Sequence, residues 1–480
     1  MKLLRRQLST IFTIPAFATF ALCLNSPGAH AVDTPKVIEL RGAPAWTDDF
    51  DKMLKRRVVR ILVPFSRTSF FIDKGVALGF EAELGQEFEN WLNKRYGKKP
   101  YRIHVAFVPT PRERLFSDLR DGKGDIAAGN LTVTAERESM VDFAAPWASN
   151  VKEVLVTGPA APEVHSIDDL GGKSVTVRRS SSYFSHLQAL NEERQKAGRP
   201  LIDVQPADEN LQDEDLLEMV AGGLMPWSVV DRHTARAWSG ILKGLTIRDD
   251  VTVSDGGQIA WAVRKNSPLL QKELAEFVAG HKIGTAFGND LRLRYISSAK
   301  TIKNALADAE AKKLKSLLAA FREFGTQYNI DPMLLAGQGY QESGFDQKMR
   351  NASGAVGVMQ IKPSTAREKQ VAISDVATRA EDNIHAGAKY LRFLADTYIS
   401  DPDVAPREQV LMALAAYNAG PGNLRKFRDY ATKNGLDRNR WFGNVETGAA
   451  AIVGQETVGY IGNIYKYYVV YSAGEKAAQK

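Results

Sequence analysis

The feature that most restricts the fold is a change of sequence periodicity near residue 305. Upstream, short apolar or β-branched runs alternate with helical stretches. Val58–Val63 reads as a buried strand, Gly79–Tyr96 carries Phe80, Leu84, Phe88 and Leu92 at three- and four-residue steps, and Tyr101–Val108 is again strand-like. Ile126–Ala128, Ser174–Val177, Trp227–Val230 and Ile259–Val263 continue the alternation, which predicts an α/β unit with a largely parallel sheet. From Ala305 the strand signals stop. Leu314, Leu317, Leu318, Phe321 and Phe324 share one helical face, and the rest of the chain favours helix or loop. A chain of 480 residues exceeds what one core organises, so a multidomain protein is expected. We place an α/β domain over 56–298, a linker over 299–312 and a mainly α domain over 313–480. The charged stretch Asp308–Lys315 reads either as a linker helix or as the first helix of the second domain.

The N-terminus bears on location. Lys2, Arg5 and Arg6 precede an apolar run from Ile11 to Leu24, and Ala29-His30-Ala31 has the small-x-small pattern of a cleavage site. Residues 1–31 therefore read as a signal peptide cleaved near Ala31, and 32–55 as a linker. The one cysteine, Cys23, lies inside that segment, so packing alone is expected to stabilise the mature chain. No later stretch reaches the roughly eighteen apolar residues of a membrane span. With 63 Lys+Arg against 56 Asp+Glu, the net charge of +7 favours an anionic partner without naming one. The seven histidines show no His-Glu-x-x-His spacing, so neither a metal nor another cofactor is expected. The chain has no recognised basic-aromatic motif, and nucleic acid is not an expected partner.

Chemistry is concentrated in the second domain. Asp331 and Pro332 read as an N-cap and first turn, opening a helix that runs through Leu334 and Leu335 to Glu342. Gln338 and Leu335 fall on the face of Glu342, so this carboxyl ends a partly apolar flank, where desolvation keeps an acid protonated. The glycine-rich stretch Gly354–Gln360 lies a short distance downstream. Glycosidic cleavage needs a proton delivered to the leaving oxygen and commonly a second carboxylate. Asp346 and Asp382 are the nearby acids, and each reads more simply as a turn or cap residue. Taken alone, Glu342 reads better as a solvated helix-end charge.

Its companions decide the matter. Glu342-Ser343, Gly357-Val358-Met359-Gln360, Ala416-Tyr417-Asn418 and Glu456-Thr457-x-x-Tyr460 occur in order, with Asn383-Ile384, Gly387 and Tyr390-Leu391 between them. In this the chain resembles the lytic transglycosylase family with the lysozyme-like fold. The resemblance implies that Glu342 acts as acid and then base on the β-1,4 bond between N-acetylmuramic acid and N-acetylglucosamine of peptidoglycan. The sugar's own 6-hydroxyl attacks and leaves a 1,6-anhydro end, so no second carboxylate is required. It further implies substrate-positioning roles for Ser343, Met359, Gln360, Tyr417, Asn418 and Tyr460. Met359 is equally readable as core packing, and Val358 departs from the family's usual leucine.

Residues 56–298 resemble the periplasmic solute-binding proteins for amino acids, with lobe 1 over about 56–148 and 250–298 and lobe 2 over about 149–249. The likeness rests on Gly79-Phe80-Glu81, Leu119–Asp125, Thr132–Arg137 leading to Val141–Trp147, and Ile167–Lys173. It implies an amino-acid or muropeptide ligand held by Arg137 at its carboxylate and Asp231 at its amino group, with Ser181 and Ser182 supplying hydroxyls and Phe71 an aromatic face. Gly129 and Asn130 stand where the family commonly has hydroxyls. The order of the two domains behind a signal peptide is similar to the membrane-bound lytic murein transglycosylases. By that likeness the expectation is a periplasmic carbon–oxygen lyase of cell-wall degradation, peripherally attached to the outer membrane and under ligand control. A hydrolytic muramidase and a non-catalytic wall-binding receptor are the alternatives.

Overall fold

The computed structural model describes residues 45–98, 100–294 and 308–478. The expected signal peptide, Cys23 and most of the 299–312 linker lie outside them. Within the stretch read as an N-terminal linker, Phe50–Arg56 is a helix capped by the Asp49 side chain, with Phe50 and Met53 buried, so it belongs to the first lobe.

The sheet of lobe 1 runs in the order His104–Pro109, Val58–Val63, Ile126–Ala127, Ala262–Val263, Asp142–Phe143. The first three strands are parallel, as the alternation predicts, and the last two pairings are antiparallel. Lobe 2 departs further from a parallel sheet. Its long strands Ala148–Thr157, Trp227–Asp231 and Thr246–Ile259 pair antiparallel, and only Ser174–Arg178 with Asp203–Ala207 is parallel. The cause is topological: the chain leaves lobe 1 along Ala148–Thr157 and returns along Thr246–Ile259, so the two crossing strands lie side by side and run opposite ways. The return falls between Ile259 and Ala262, later than the expected boundary near 250. The apolar run Ile259–Val263 is accordingly divided between the two sheets.

The second domain is helical. Asp308–Gln327 is one continuous helix that packs on Pro332–Ser343 and Ala380–Tyr398, so the charged segment at its start is the opening of the domain's first helix. Asp331 caps Pro332–Ser343 by accepting from the Met333 N–H at 2.8 Å, and Gly344 ends it in the left-handed region at φ 63°. The same helix lies close against the C-terminal helix Gln455–Ala478. A Cβ on Gly337 would stand 2.8 Å from the Ile464 carbonyl oxygen, so only glycine permits this approach.

Polar contacts join the two domains. Gln455 Nε2 donates to the Ile72 carbonyl at 2.6 Å, Lys74 N–H to the Ala450 carbonyl at 2.9 Å, and Tyr465 Oη to Asp208 at 2.8 Å. Lys466, 3% exposed, pairs with Asp215 at 3.1 Å and Glu218 at 2.6 Å. From lobe 1, Arg67 reaches the same two acids at 3.2 and 2.7 Å. Both lobes and the C-terminal helix therefore meet on the helix Asp213–Ala221.

Candidate active site

Glu342 sits in the last turn of Pro332–Ser343, half-buried. Its Oε1 accepts from Tyr460 Oη at 2.6 Å, a contact delivered by the C-terminal helix. Burial raises its carboxyl to about 7, and the Tyr460 hydrogen bond opposes that rise. Asp346 instead accepts from the Lys348 N–H at 2.8 Å, and Asp382 pairs with Arg379 at 3.4 Å in a helix's first turn, as their reading as turn and cap residues requires. Glu342 is thus an isolated acid held half protonated near neutrality, the state a proton donor needs.

The glycine-rich loop is tied down beside it. Asn383, fully buried, accepts from the Met359 N–H at 2.7 Å and donates to the carbonyls of Val356 at 2.9 Å and Val376 at 2.8 Å. A Cβ on Gly357 would lie 2.3 Å from that amide, and its φ of 75° favours glycine as well. Ser343 Oγ donates to the Val358 carbonyl at 2.9 Å and accepts from the Asp346 N–H at 3.1 Å, and Tyr417 Oη donates to the Met359 carbonyl at 2.8 Å. Ser343 and Tyr417 are therefore engaged in holding the loop. Met359 is fully buried with its side chain against Gly387, as its reading as core packing requires. Gln360, at φ 45°, turns its Nε2 back to the Gly357 carbonyl at 2.9 Å. Asn418 is exposed, and its Oδ1 accepts from Thr457 at 2.8 Å, which fixes how its amide faces outward. Tyr460 thus bonds Glu342 directly, Ser343 and Tyr417 bond the Val358–Met359 segment, and Asn418 is exposed. Thr457 and Asn383 were visible in the motifs without a role; their partners lie too far along the chain for a sequence pattern to reveal.

In the upstream domain the lobes touch. Arg137 donates to the Thr132 carbonyl and, across to lobe 2, to the Ser180 carbonyl, both at 2.8 Å. Asp231, fully buried, accepts from Asn130 Nδ2 at 2.6 Å, and burial pushes its carboxyl well above the usual range. Ser181 caps the helix Ser182–Lys196, and Ser182 Oγ bonds Glu153 at 2.7 Å and Thr132 at 3.1 Å. Arg137, Ser181 and Ser182 line one small cavity of about 20 Å³ with Asn130. Phe71 lies elsewhere, on the hairpin Phe71–Leu78 that faces the helix Glu446–Val453 of the second domain. Phe80 and Trp147, with ring centroids 4.7 Å apart, line a second cavity of about 80 Å³ that shares Asn130 with the first. Phe80 comes directly after a glycine at a helix start, and in the sequence it serves helix periodicity and the solute-binding likeness without a ligand role.

Comparison with known proteins agrees with both halves. Residues 59–284 match the bacterial extracellular solute-binding proteins, family 3, and residues 319–439 match the transglycosylase SLT domain. The chain is therefore a two-domain protein that carries a family 3 solute-binding domain ahead of an SLT domain. Over most of its length it is similar to proteins named membrane-bound lytic murein transglycosylase F. That of Desulfosudis oleivorans is 28% identical, covering 87% of this chain and 90% of its own, and that of Aeromonas hydrophila is 27% identical, covering 90% and 86%. A relative named membrane-bound lytic murein transglycosylase F 1, from Alkalilimnicola ehrlichii, is 27% identical over 87% of this chain and 84% of its own.

Proposed function

We infer that this chain is a peptidoglycan lytic transglycosylase, a lyase that cleaves between N-acetylmuramic acid and N-acetylglucosamine. The observation that carries the reading is the half-buried Glu342 carboxyl, bonded by Tyr460 at 2.6 Å and raised by burial to about 7, within the SLT match. The neutral acid passes its proton to the glycosidic oxygen as the C1–O bond breaks. The resulting carboxylate then takes the proton of the muramic 6-hydroxyl as that oxygen bonds to C1. Water is not consumed and Glu342 ends protonated, so one acid completes the cycle. Digestion of purified peptidoglycan is expected to give muropeptides lighter by one water than their reducing-end counterparts, read by mass spectrometry. Reducing-end products would establish a muramidase instead, and intact glycan would leave a wall-binding receptor.

Location and regulation belong to the same reading. We place the protein in the periplasm, peripherally attached to the outer membrane. Among the described residues no helix is long and apolar enough to cross a membrane. The upstream cleft takes a cell-wall amino acid or peptide whose carboxylate replaces the carbonyls on Arg137 and whose ammonium replaces Asn130 on Asp231. Control of Glu342 runs through the C-terminal helix, which carries Tyr460 and, further along, the Lys466 that grips Asp215 and Glu218. Such control requires a ligand with different affinity for two lobe arrangements. Stem-peptide fragments are expected to change both the small-angle scattering profile and the turnover rate. In Lys466→Met the basal turnover persists and the response to fragments is lost. Fragments that alter neither quantity in the wild-type protein would remove the regulatory reading.

A further inference from the structure

Gln338 lies one helical turn before Glu342 and is fully buried. A primary amide in an apolar helix interface is costly unless its groups are used. Its Nε2 is 3.5 Å from Tyr460 Oη, and Tyr460 Oη is 2.6 Å from Glu342 Oε1. Its own Oε1 is buried with no hydrogen-bond partner. The backbone on either side of it is closely packed, since a Cβ on Gly337 would stand 2.8 Å from the Ile464 carbonyl and one on Gly339 2.9 Å from the Phe321 ring.

A tyrosine hydroxyl has one proton to give, and a donor to its oxygen leaves that proton for Glu342. With the carboxylate ionised, Tyr460 donates to Glu342 and its oxygen accepts from Gln338 Nε2. When the carboxyl is protonated its proton is needed at the glycosidic oxygen, and the other carboxyl oxygen still accepts from Tyr460, so the same direction holds in both states. Hydrophobic side chains of the same size serve neither state.

We propose that Gln338 is a positioning residue whose amide donates to Tyr460 Oη and so keeps the tyrosine proton directed at Glu342 in both protonation states of the catalytic cycle. This rests on the reading of Glu342 as acid and then base. Tyr460, on the helix Gln455–Ala478, is the titratable group that acts on Glu342, Glu342 in turn acts on Tyr417 of the helix Pro406–Ala419, and burial holds both phenols well above their usual range.

The test is kcat/KM against pH for the full chain on soluble glycan strands. Wild-type activity falls as pH rises through about 7, where Glu342 loses its proton. The ionised arrangement is the charge-assisted one, so Gln338→Met and Gln338→Leu each move this limb upward by about half a unit and lower kcat about fivefold with KM little changed. Tyr460→Phe moves it the same way, and adding Gln338→Met to Tyr460→Phe moves it no further, because Gln338 acts through the hydroxyl. A limb that stays in place in both Gln338 variants overturns the proposal. So does a shift in only one of them, which reports packing, or a full additional shift in the Tyr460→Phe background. Glu342→Gln separates the two levels of the argument: if that variant is active the parent reading falls, and if it is inactive while the limb is unmoved only the role of Gln338 falls.

Discussion

Glu342→Gln is expected to give a folded protein that binds glycan strands and cleaves them at least about a thousandfold more slowly than wild type. The size of the effect reflects how much the mechanism asks of one side chain. Glu342 supplies the proton to the leaving oxygen and then receives the proton of the attacking hydroxyl, and its nearby acids are otherwise engaged: Asp346 with a backbone N–H and Asp382 with Arg379. An amide neither gives nor takes a proton at that point, so both half-reactions lose their catalyst. Folding is little disturbed, because glutamine matches the acid in shape and in the uncharged state that burial already favours near pH 7. Tyr460 keeps an acceptor in the new amide oxygen. The measurement is initial release of soluble muropeptides, with sacculus pelleting as the check on binding and a thermal melt as the check on fold. Activity within tenfold of wild type would take the catalytic role away from Glu342.

What the sequence revealed and what it hid divide along chain separation. The SLT residues were legible because each motif is a short window whose residue types are dictated locally: an acid at a helix end, a glycine where φ is positive, a small-aromatic-amide run. The α/β character of 56–298 was legible for the same reason, since strand and helix periods are local. Strand direction was not, because side-chain alternation is the same in parallel and antiparallel pairs and only the two lobe crossings set it. Contacts that bring remote segments together were hidden too. Lys466 meets Glu218 across 248 positions, and Tyr460 meets Glu342 across 118. Asn130 was noticed as a departure from the solute-binding pattern, but that its amide occupies Asp231 depends on where the second lobe closes. Phe71 was misplaced by the same limit: an aromatic beside a glycine turn has the right chemistry for a cleft, yet its hairpin turns toward the second domain.

The loop that carries Gln360 depends on one buried amide, and Asn383→Leu is expected to destabilise the helical domain by about 3–5 kcal/mol. Leucine fits the volume but forms none of the three hydrogen bonds that Asn383 makes, to the Met359 N–H and to the carbonyls of Val356 and Val376. Val376 keeps the Gln347 amide at 3.0 Å, and the Val356 carbonyl and the Met359 N–H are the groups left buried and short of a partner. The leucine also meets the Gly357 backbone, where the amide already stands within 2.3 Å of a notional Cβ. For a domain of this size that cost lowers the melting transition by roughly 8–15 °C, read by calorimetry on the full chain, while the transition of the solute-binding domain stays close to its wild-type position. Catalysis falls as well, since a loosened Gly357–Gln360 segment no longer holds the Tyr417 and Ser343 contacts beside Glu342. Asn383→Asp distinguishes the two halves of the amide: it keeps the acceptor for Met359 and sets a carboxylate oxygen against two carbonyls, so it is expected to be at least as destabilising as leucine near neutral pH and to recover part of the loss as the acid is protonated. A helical-domain transition within about 2 °C of wild type in Asn383→Leu would mean that the loop is held mainly by Ser343, Gln347 and Tyr417, and that Asn383 is dispensable to it.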